Sequence, residues 1–219
     1  MRVRLCVFAL CSCVLSSCGG SSSTTGNLRF LQASPDSPLV TVYSDRQRVG
    51  ANLSYKNNTT YFSFKSGGHL RVYPPASSQP LFQATPSITS SGNETLIMTG
   101  PAAGLTSLLL TDGGTTATTG FGEVRVVNAS QAVGAPDVYV VAAGTSITGI
   151  SPTVSALAFN SSAGYDQVPI GTYEVLITKA KTTNILLDTG PISLSSGNQT
   201  VVALDDTSGG LTYALLNDQ

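Results

Sequence analysis

Beyond residue 27 the chain is a series of short apolar alternations separated by turn residues. Leu28 and Phe30, then Val40 and Val42, recur with period two, as side chains do on one face of a strand. Val124 and Val126, then Val138 and Val140, repeat the pattern. Tyr61 to Phe64 and Thr172 to Ile177 read as further strands. Clusters of Gly, Pro, Asn, Asp and Ser fall between such runs about every 8–12 residues, the spacing of an all-β sandwich or barrel. We find no run with helical spacing and caps. About seven strands in about 95 residues fits an immunoglobulin-like β-sandwich. Pro169 to Tyr173 (PIGTY) reads as a tyrosine corner, in which a Tyr at a strand entry bonds nearby backbone.

The pattern occurs twice. Leu28, Phe30, Ala33, Ser34, Val42 and Tyr43 fall on Val124, Val126, Ala129, Ser130, Val138 and Tyr139, each pair 96 positions apart. Gly68 to Tyr73 (GHLRVY) lies over Gly171 to Leu176 (GTYEVL), Ser91 to Leu96 (SGNETL) over Ser196 to Val201 (SGNQTV), and Leu105 to Asp112 (LTSLLLTD) over Leu211 to Asp218 (LTYALLND). The offset grows to 106 by the last pair, so the second copy has the longer loops. Self-similarity in one order predicts two tandem sandwich domains, 27–114 and 121–219. The stretch 113–122 (GGTTATTGFG), rich in Gly and Thr and free of charge, is the junction.

Residues 1–17 are an address rather than a domain. Arg2 and Arg4 precede an apolar stretch of 11 residues, Leu5 to Leu15. That suits a signal-peptide core and is too short for a membrane span, which needs about 20 apolar residues. Leu15, Ser16, Ser17 and Cys18 resemble a bacterial lipobox. The resemblance implies signal-peptidase recognition of Leu15, Ser16 and Ser17, cleavage before Cys18, and diacylglycerol (with palmitate) on the Cys18 thiol. Lipoproteins retained at an inner membrane often carry Asp next; here Gly19 follows, which implies the outer membrane. Two or more acyl chains hold a protein stably on a bilayer, at about 0.8 kcal/mol per buried CH₂. Residues 18–26 (CGGSSSTTG) read as a flexible tether. Cys6, Cys11 and Cys13 leave with the leader and Cys18 is consumed by lipid, so the mature chain is expected to hold no disulfide.

Charge and composition narrow the chemistry. The mature chain keeps nine Lys and Arg against twelve acids. Such a balance leaves no basic footprint for nucleic acid and no pull toward anionic lipid, so the lipid must anchor it. His69 is the sole histidine, too few for a zinc site or for a triad with no nucleophile elbow. Asp205 and Asp206 are the one adjacent acidic pair; strand neighbours point to opposite faces, and they precede a Ser208-Gly209-Gly210 turn. No calcium-loop spacing occurs. The N-x-S/T triplets at Asn52, Asn57, Asn58, Asn93, Asn128, Asn160 and Asn198 follow from the Ser/Thr-rich turns. With no Trp, and with Tyr43, Tyr139 and Tyr173 in strands that a core or corner would use, a sugar-stacking platform is not expected. Ser34, Pro35 and Asp36 have turn chemistry, and they double as a candidate ligand loop at one sandwich end.

Leu28 to Tyr43 (LRFLQASPDSPLVTVY), Val124 to Val140 (VRVVNASQAVGAPDVYV) and Val168 to Val175 (VPIGTYEV) together resemble DUF4397 domains. These are bacterial extracytoplasmic domains of unknown function, often in tandem on lipoproteins. The first copy keeps Ala33 to Asp36 (ASPD) and has Ser66 to Tyr73 (SGGHLRVY) in place of the family's P-A-G-x-Y turn; the second keeps a turn of that kind and has Ser130-Gln131 where Ser-Pro stands in the family. The resemblance implies architecture and setting, with no catalytic residues to carry over.

The expectation is therefore a lipid-anchored, non-catalytic envelope protein. It would act as a binding or scaffold module for an envelope protein or polymer, without metal or cofactor. The alternatives are a structural subunit that pairs its edge strands with a neighbour, and a hydrolase drawing two carboxylates from distant strands. Cys18→Ala is expected to abolish labelling by a palmitate analogue and to move the protein out of the membrane fraction. Unchanged labelling or fractionation contradicts the anchor.

Overall fold

The computed structural model describes residues 24–113 and 118–218. The leader, Leu15, Ser16, Ser17, Cys18, most of the tether and the middle of the junction lie outside the described residues. Repeat 1 contains β1 (Thr25–Gln32), β2 (Val40–Ser44), β3 (Gln47–Leu53), β4 (Phe62–Lys65), β5 (Leu70–Tyr73), β6 (Phe82–Ala84), β7 (Asn93–Thr99) and β8 (Thr106–Asp112). Repeat 2 contains β9 (Phe121–Asn128), β10 (Asp137–Ala142), β11 (Ser161–Ser162), β12 (Asp166–Pro169), β13 (Gly171–Thr178), β14 (Ile185–Asp188), β15 (Ile192–Leu194), β16 (Asn198–Asp205) and β17 (Leu211–Asp218). A three-residue 3₁₀ turn at Ala102–Gly104 is the one helical element among the described residues.

Each repeat is a two-sheet sandwich, so the all-β tandem architecture expected from the alternation is the one observed. In repeat 1 the sheets run β4-β1-β7-β8 and β3-β2-β5-β6. Leu28, Phe30, Val40, Val42, Phe64, Leu70, Val72, Leu96 and Met98 fill the space between them. In repeat 2, β9 is flanked by β16-β17 on one side and by β11 and β12 on the other, facing a sheet built on β10, β13, β14 and β15. Val124, Val126, Val138, Val175, Ile177 and Val201 are in its core.

Two features depart from the expectation. The first strand of each repeat pairs in parallel with the penultimate one, β1 with β7 and β9 with β16, whereas the immunoglobulin plan has antiparallel sheets. Pairing order is set by long-range contacts that local alternation does not encode. In addition, β1 starts at Thr25, inside the stretch read as tether, because Thr25 and Gly26 pair with Lys65 and Phe64. Gly26 and its counterpart Gly122 are required there: a Cβ on either would collide with a backbone carbonyl, that of Thr89 or that of Ser195.

The repeats are joined through the outer faces of their β1 and β9 sheets. Leu31, Ala33, Ile97 and Leu110 of repeat 1 pack on Val127, Ala129, Val202, Leu204, Ala214 and Leu216 of repeat 2. β1 and β9 are therefore covered on both faces, which makes them almost continuously buried. Leu31→Ala opens a cavity in this joint at a cost of about 2–5 kcal/mol. Urea unfolding of the variant is expected to show one transition shared by both repeats, at a lower midpoint. Separate transitions, or an unmoved midpoint, contradict a fused core.

Candidate functional site

At the centre of the joint lies a buried cluster of ions with two-fold pseudo-symmetry. Arg29 and Arg125 occupy matching positions in β1 and β9; Asp112 and Asp218 close β8 and β17. Each Arg reaches the Asp of the other repeat. Arg29 Nη2 donates to Asp218 Oδ1, and Arg125 Nη2 donates to Asp112 Oδ1 at 2.6 Å. Arg29 also donates to Thr95 Oγ1 at 2.9 Å and the Asn217 carbonyl at 2.8 Å; Arg125 donates to Thr200 Oγ1 at 3.0 Å and the Thr111 carbonyl at 2.7 Å. Tyr61 donates to Asp112 at 2.7 Å and Tyr165 to Asp218 at 2.6 Å, while Thr95 and Thr200 hydroxyls complete the two carboxylates. The guanidinium carbons of Arg29 and Arg125 sit 4.7 and 4.4 Å from the ring centroids of Tyr61 and Tyr165. Both aspartate side chains are fully buried. Charges so placed lose several kcal/mol each in desolvation and are retained only when every group has partners. Here they do, so the cluster is a lock between repeats. A hollow of about 390 Å³ opens beside it over Arg29, Tyr61 and Asn217, but that guanidinium is already bound to three acceptors.

The other polar candidates are similarly committed. Buried Ser34 receives Ser37 and bonds Asp36, whose Oδ1 accepts the Ala102 amide at 2.8 Å. Thus Ser34, Pro35 and Asp36 form a turn tied to the 3₁₀ segment, and none of them lines the two hollows described here. Repeat 2 lacks an Asp two residues after Ser130; Asp205 takes its place, accepting the Ser130 hydroxyl and the amides of Gln131 and Ala132 at 3.1 and 3.2 Å. Asp206 instead caps its own turn through Ser208, whose amide and hydroxyl bonds hold the carboxyl below its usual range. Asp205 and Asp206 thus serve separate structures. The His69 amide donates to Asp45 Oδ1 at 3.0 Å, and the imidazole is on an exposed turn. Tyr173 packs against the repeat 2 core, and the hydroxyl-to-backbone bond of that region comes from Tyr213, which donates to the Thr189 carbonyl at 3.0 Å. Among the described residues no cluster of three metal ligands occurs, and no helix is long and apolar enough to cross a membrane.

The outer face of repeat 1 is the open surface. Val42 and Val72 point into the core, so Tyr43, Arg71 and Tyr73 point out. Sequence position alone places Tyr43 in a strand that could use it in a core; the structure puts it on the solvent side of that strand, half-buried. It meets Tyr73 edge-to-face, centroids 5.7 Å apart at 89°. Arg48 of β3 and Arg71 of β5 are its cross-strand neighbours on either side. Thr41, Asp45, Arg46, Arg48 and the Pro74–Ser77 turn complete a groove of about 490 Å³ around the two rings. Among the five described arginines, two are in the buried lock and the other three are gathered here.

In repeat 2 the same face is closed. Tyr139, at the position of Tyr43, and Leu176, which pairs with it as Arg71 pairs with Tyr43, are buried beneath Ile147. The pairing thus shifts β13 by two residues from the overlay of GHLRVY on GTYEVL, because Val72 and Ile177, not Val72 and Val175, pair with the matched core valines Val42 and Val138. Tyr139 follows Tyr43 by 96 positions but Tyr165 follows Tyr61 by 104, so eight extra residues lie between Tyr139 and Tyr165. They extend the chain after β10, which lays Ile147 over the sheet and bridges Val154 to Val138.

The model for the domain of unknown function DUF4397 matches residues 26–140 and again 124–219. The chain belongs to the DUF4397 family. No curated protein matches it. Among solved structures it is similar to the Bacillus anthracis TIE protein, at 12% identity and a TM-score of 0.23, over 82% of this chain and 33% of that one. The chain spans about a third of the length of that protein. The two DUF4397 repeats thus share a framework and differ in whether their outer face is capped.

Burial, and then the bond to a carboxylate, push the Tyr61 and Tyr165 hydroxyls well above the ordinary tyrosine value of 10.0. The unfolded chain loses these protons near that value while the folded state keeps them. Their contribution is thus complete below about pH 10 and is lost as the pH rises through the folded values. Urea midpoints measured from pH 8 upward are expected to fall less steeply for Tyr61→Phe/Tyr165→Phe than for wild type. Parallel curves contradict the assignment.

Proposed function

We propose that this protein is a lipid-anchored, non-catalytic binding module of the cell envelope, and that the repeat 1 groove is its ligand site. The observation that carries the reading is the gathering of Tyr43, Tyr73, Arg46, Arg48 and Arg71 on one uncapped face, while the other repeat seals the same face with its own chain. Paired aromatic rings offer flat contact area, and arginines offer planar donors for carboxylate or phosphate. Asp45 is the one acid lining the groove, and a backbone amide already holds its carboxylate. The ligand favoured is therefore anionic, in a mature chain that is otherwise acidic.

The lipobox at Leu15 to Cys18 supports the anchor and the envelope setting, with the outer membrane favoured by Gly19. A binding role is supported over an enzymatic one by the acids: Asp112, Asp218, Asp205 and Asp36 each hold the fold together. A photo-crosslinking residue placed at Ala76, on the groove rim, is expected to give adducts in intact cells. The same residue at Thr148, on the repeat 2 cap, is expected to give none. Adducts of equal yield at both positions, or none at Ala76, overturn the reading.

A further inference from the structure

We infer that the groove of repeat 1 takes an extended acidic polypeptide segment, which inserts one branched aliphatic side chain against Tyr43 and Tyr73. The inference rests on the groove being the ligand site and goes on to name its occupant. Repeat 2 shows what the shared framework accepts on this face. There the occupant is polypeptide, a loop whose Ile147 is 5% exposed and packs with Tyr139 and Leu176. Beyond Ile147 the chain continues alongside β10, with Val154 and Val138 exchanging backbone hydrogen bonds at 2.8 and 3.1 Å, as Gly50 of β3 pairs with Val42 in repeat 1. The part without a counterpart there is the cover itself. Repeat 1 presents Tyr43 in the place of Tyr139, with Arg71 where Leu176 stands and Tyr73 edge-to-face beside the ring, and lacks the eight residues that would cover them.

The difference in charge identifies the segment further. At the repeat 2 positions matching Arg71 and Asp45 stand Leu176 and Val141, and both pack with the cap. That face is closed by a neutral loop, Thr145 to Pro152 (TSITGISP). Repeat 1 instead surrounds its rings with Arg46, Arg48 and Arg71. Three guanidinium groups beside an exposed aromatic pair complement a segment that carries carboxylates next to its aliphatic residue.

The test uses the full mature chain in detergent. The probe is a capped heptapeptide with one isoleucine between two aspartates. Controls replace its isoleucine with alanine or its aspartates with asparagine, and an oligouronate of equal charge serves as a polysaccharide competitor. Calorimetry is expected to show saturable binding of the parent peptide that weakens as salt is raised. Loss of the isoleucine side chain is expected to weaken binding about tenfold, as for a buried aliphatic group. Arg46→Gln/Arg48→Gln, two exposed positions that leave the core intact, is expected to weaken it about tenfold. Absence of saturable binding, equal binding of the isoleucine and alanine peptides, or tighter binding of the oligouronate overturns the inference. If the oligouronate binds and Arg46→Gln/Arg48→Gln abolishes that binding, the peptide assignment falls and the groove remains the ligand site. If neither probe binds and Ala76 gives no crosslinks, both readings fall.

Discussion

The molecule depends on a pair of crossed ion pairs. Arg29 meets Asp218 and Arg125 meets Asp112, so each repeat supplies the counter-charge for the other. An isolated repeat would keep only its own, longer contact, Arg29 with Asp112 or Arg125 with Asp218 at 3.5 Å, and would lose the shorter one. Inside the intact joint, removing one member of a short pair leaves the other charge away from water, which is strongly unfavourable. The lock therefore ties the two sandwiches by crossed charges as well as by apolar contact. Thr95 and Thr200 tie the arginines to the penultimate strands, and Tyr61 and Tyr165 tie the aspartates to the segments before β4 and β12.

This constraint orders the layers. With the β1 and β9 sheets committed to the joint, the sheets carrying β2 and β10 are left outermost. Any ligand therefore meets one of those two outer faces or the loops at the sandwich ends. The two repeats place equivalent faces at both positions. The longer chain after β10 closes one of them with Ile147, and the other leaves its rings and its arginines in solvent. Once the joint holds the rest of the fold, one copy can specialise without cost to the shared framework.

Turn chemistry shows the same division of labour. The Ser34 loop satisfies itself with Asp36, two residues on, whereas the Ser130 loop borrows Asp205 from β16. The same backbone geometry needs a carboxylate, and either a local or a distant residue can provide it. Repeat identity is thus preserved in hydrogen bonds even where residues do not align.

Strand content, duplication and the longer loops of the second copy were all legible along the chain. Each is written in local periodicity or in spacing between like segments. The parallel pairing of β1 with β7 was not, since it joins residues 66 positions apart. Nor was the destiny of Arg29 and Arg125. An arginine between apolar neighbours in a strand reads as a solvent-side residue, and only the second sandwich, lying against that face, turns it into half of a buried pair. Tyr43 shows the converse. Period two already places it opposite Val42, but whether that outer face is bare or capped depends on where a loop after β10 comes to rest in repeat 2 and what is missing in repeat 1. Local alternation decides which way a side chain points; only packing between distant segments decides what it meets there.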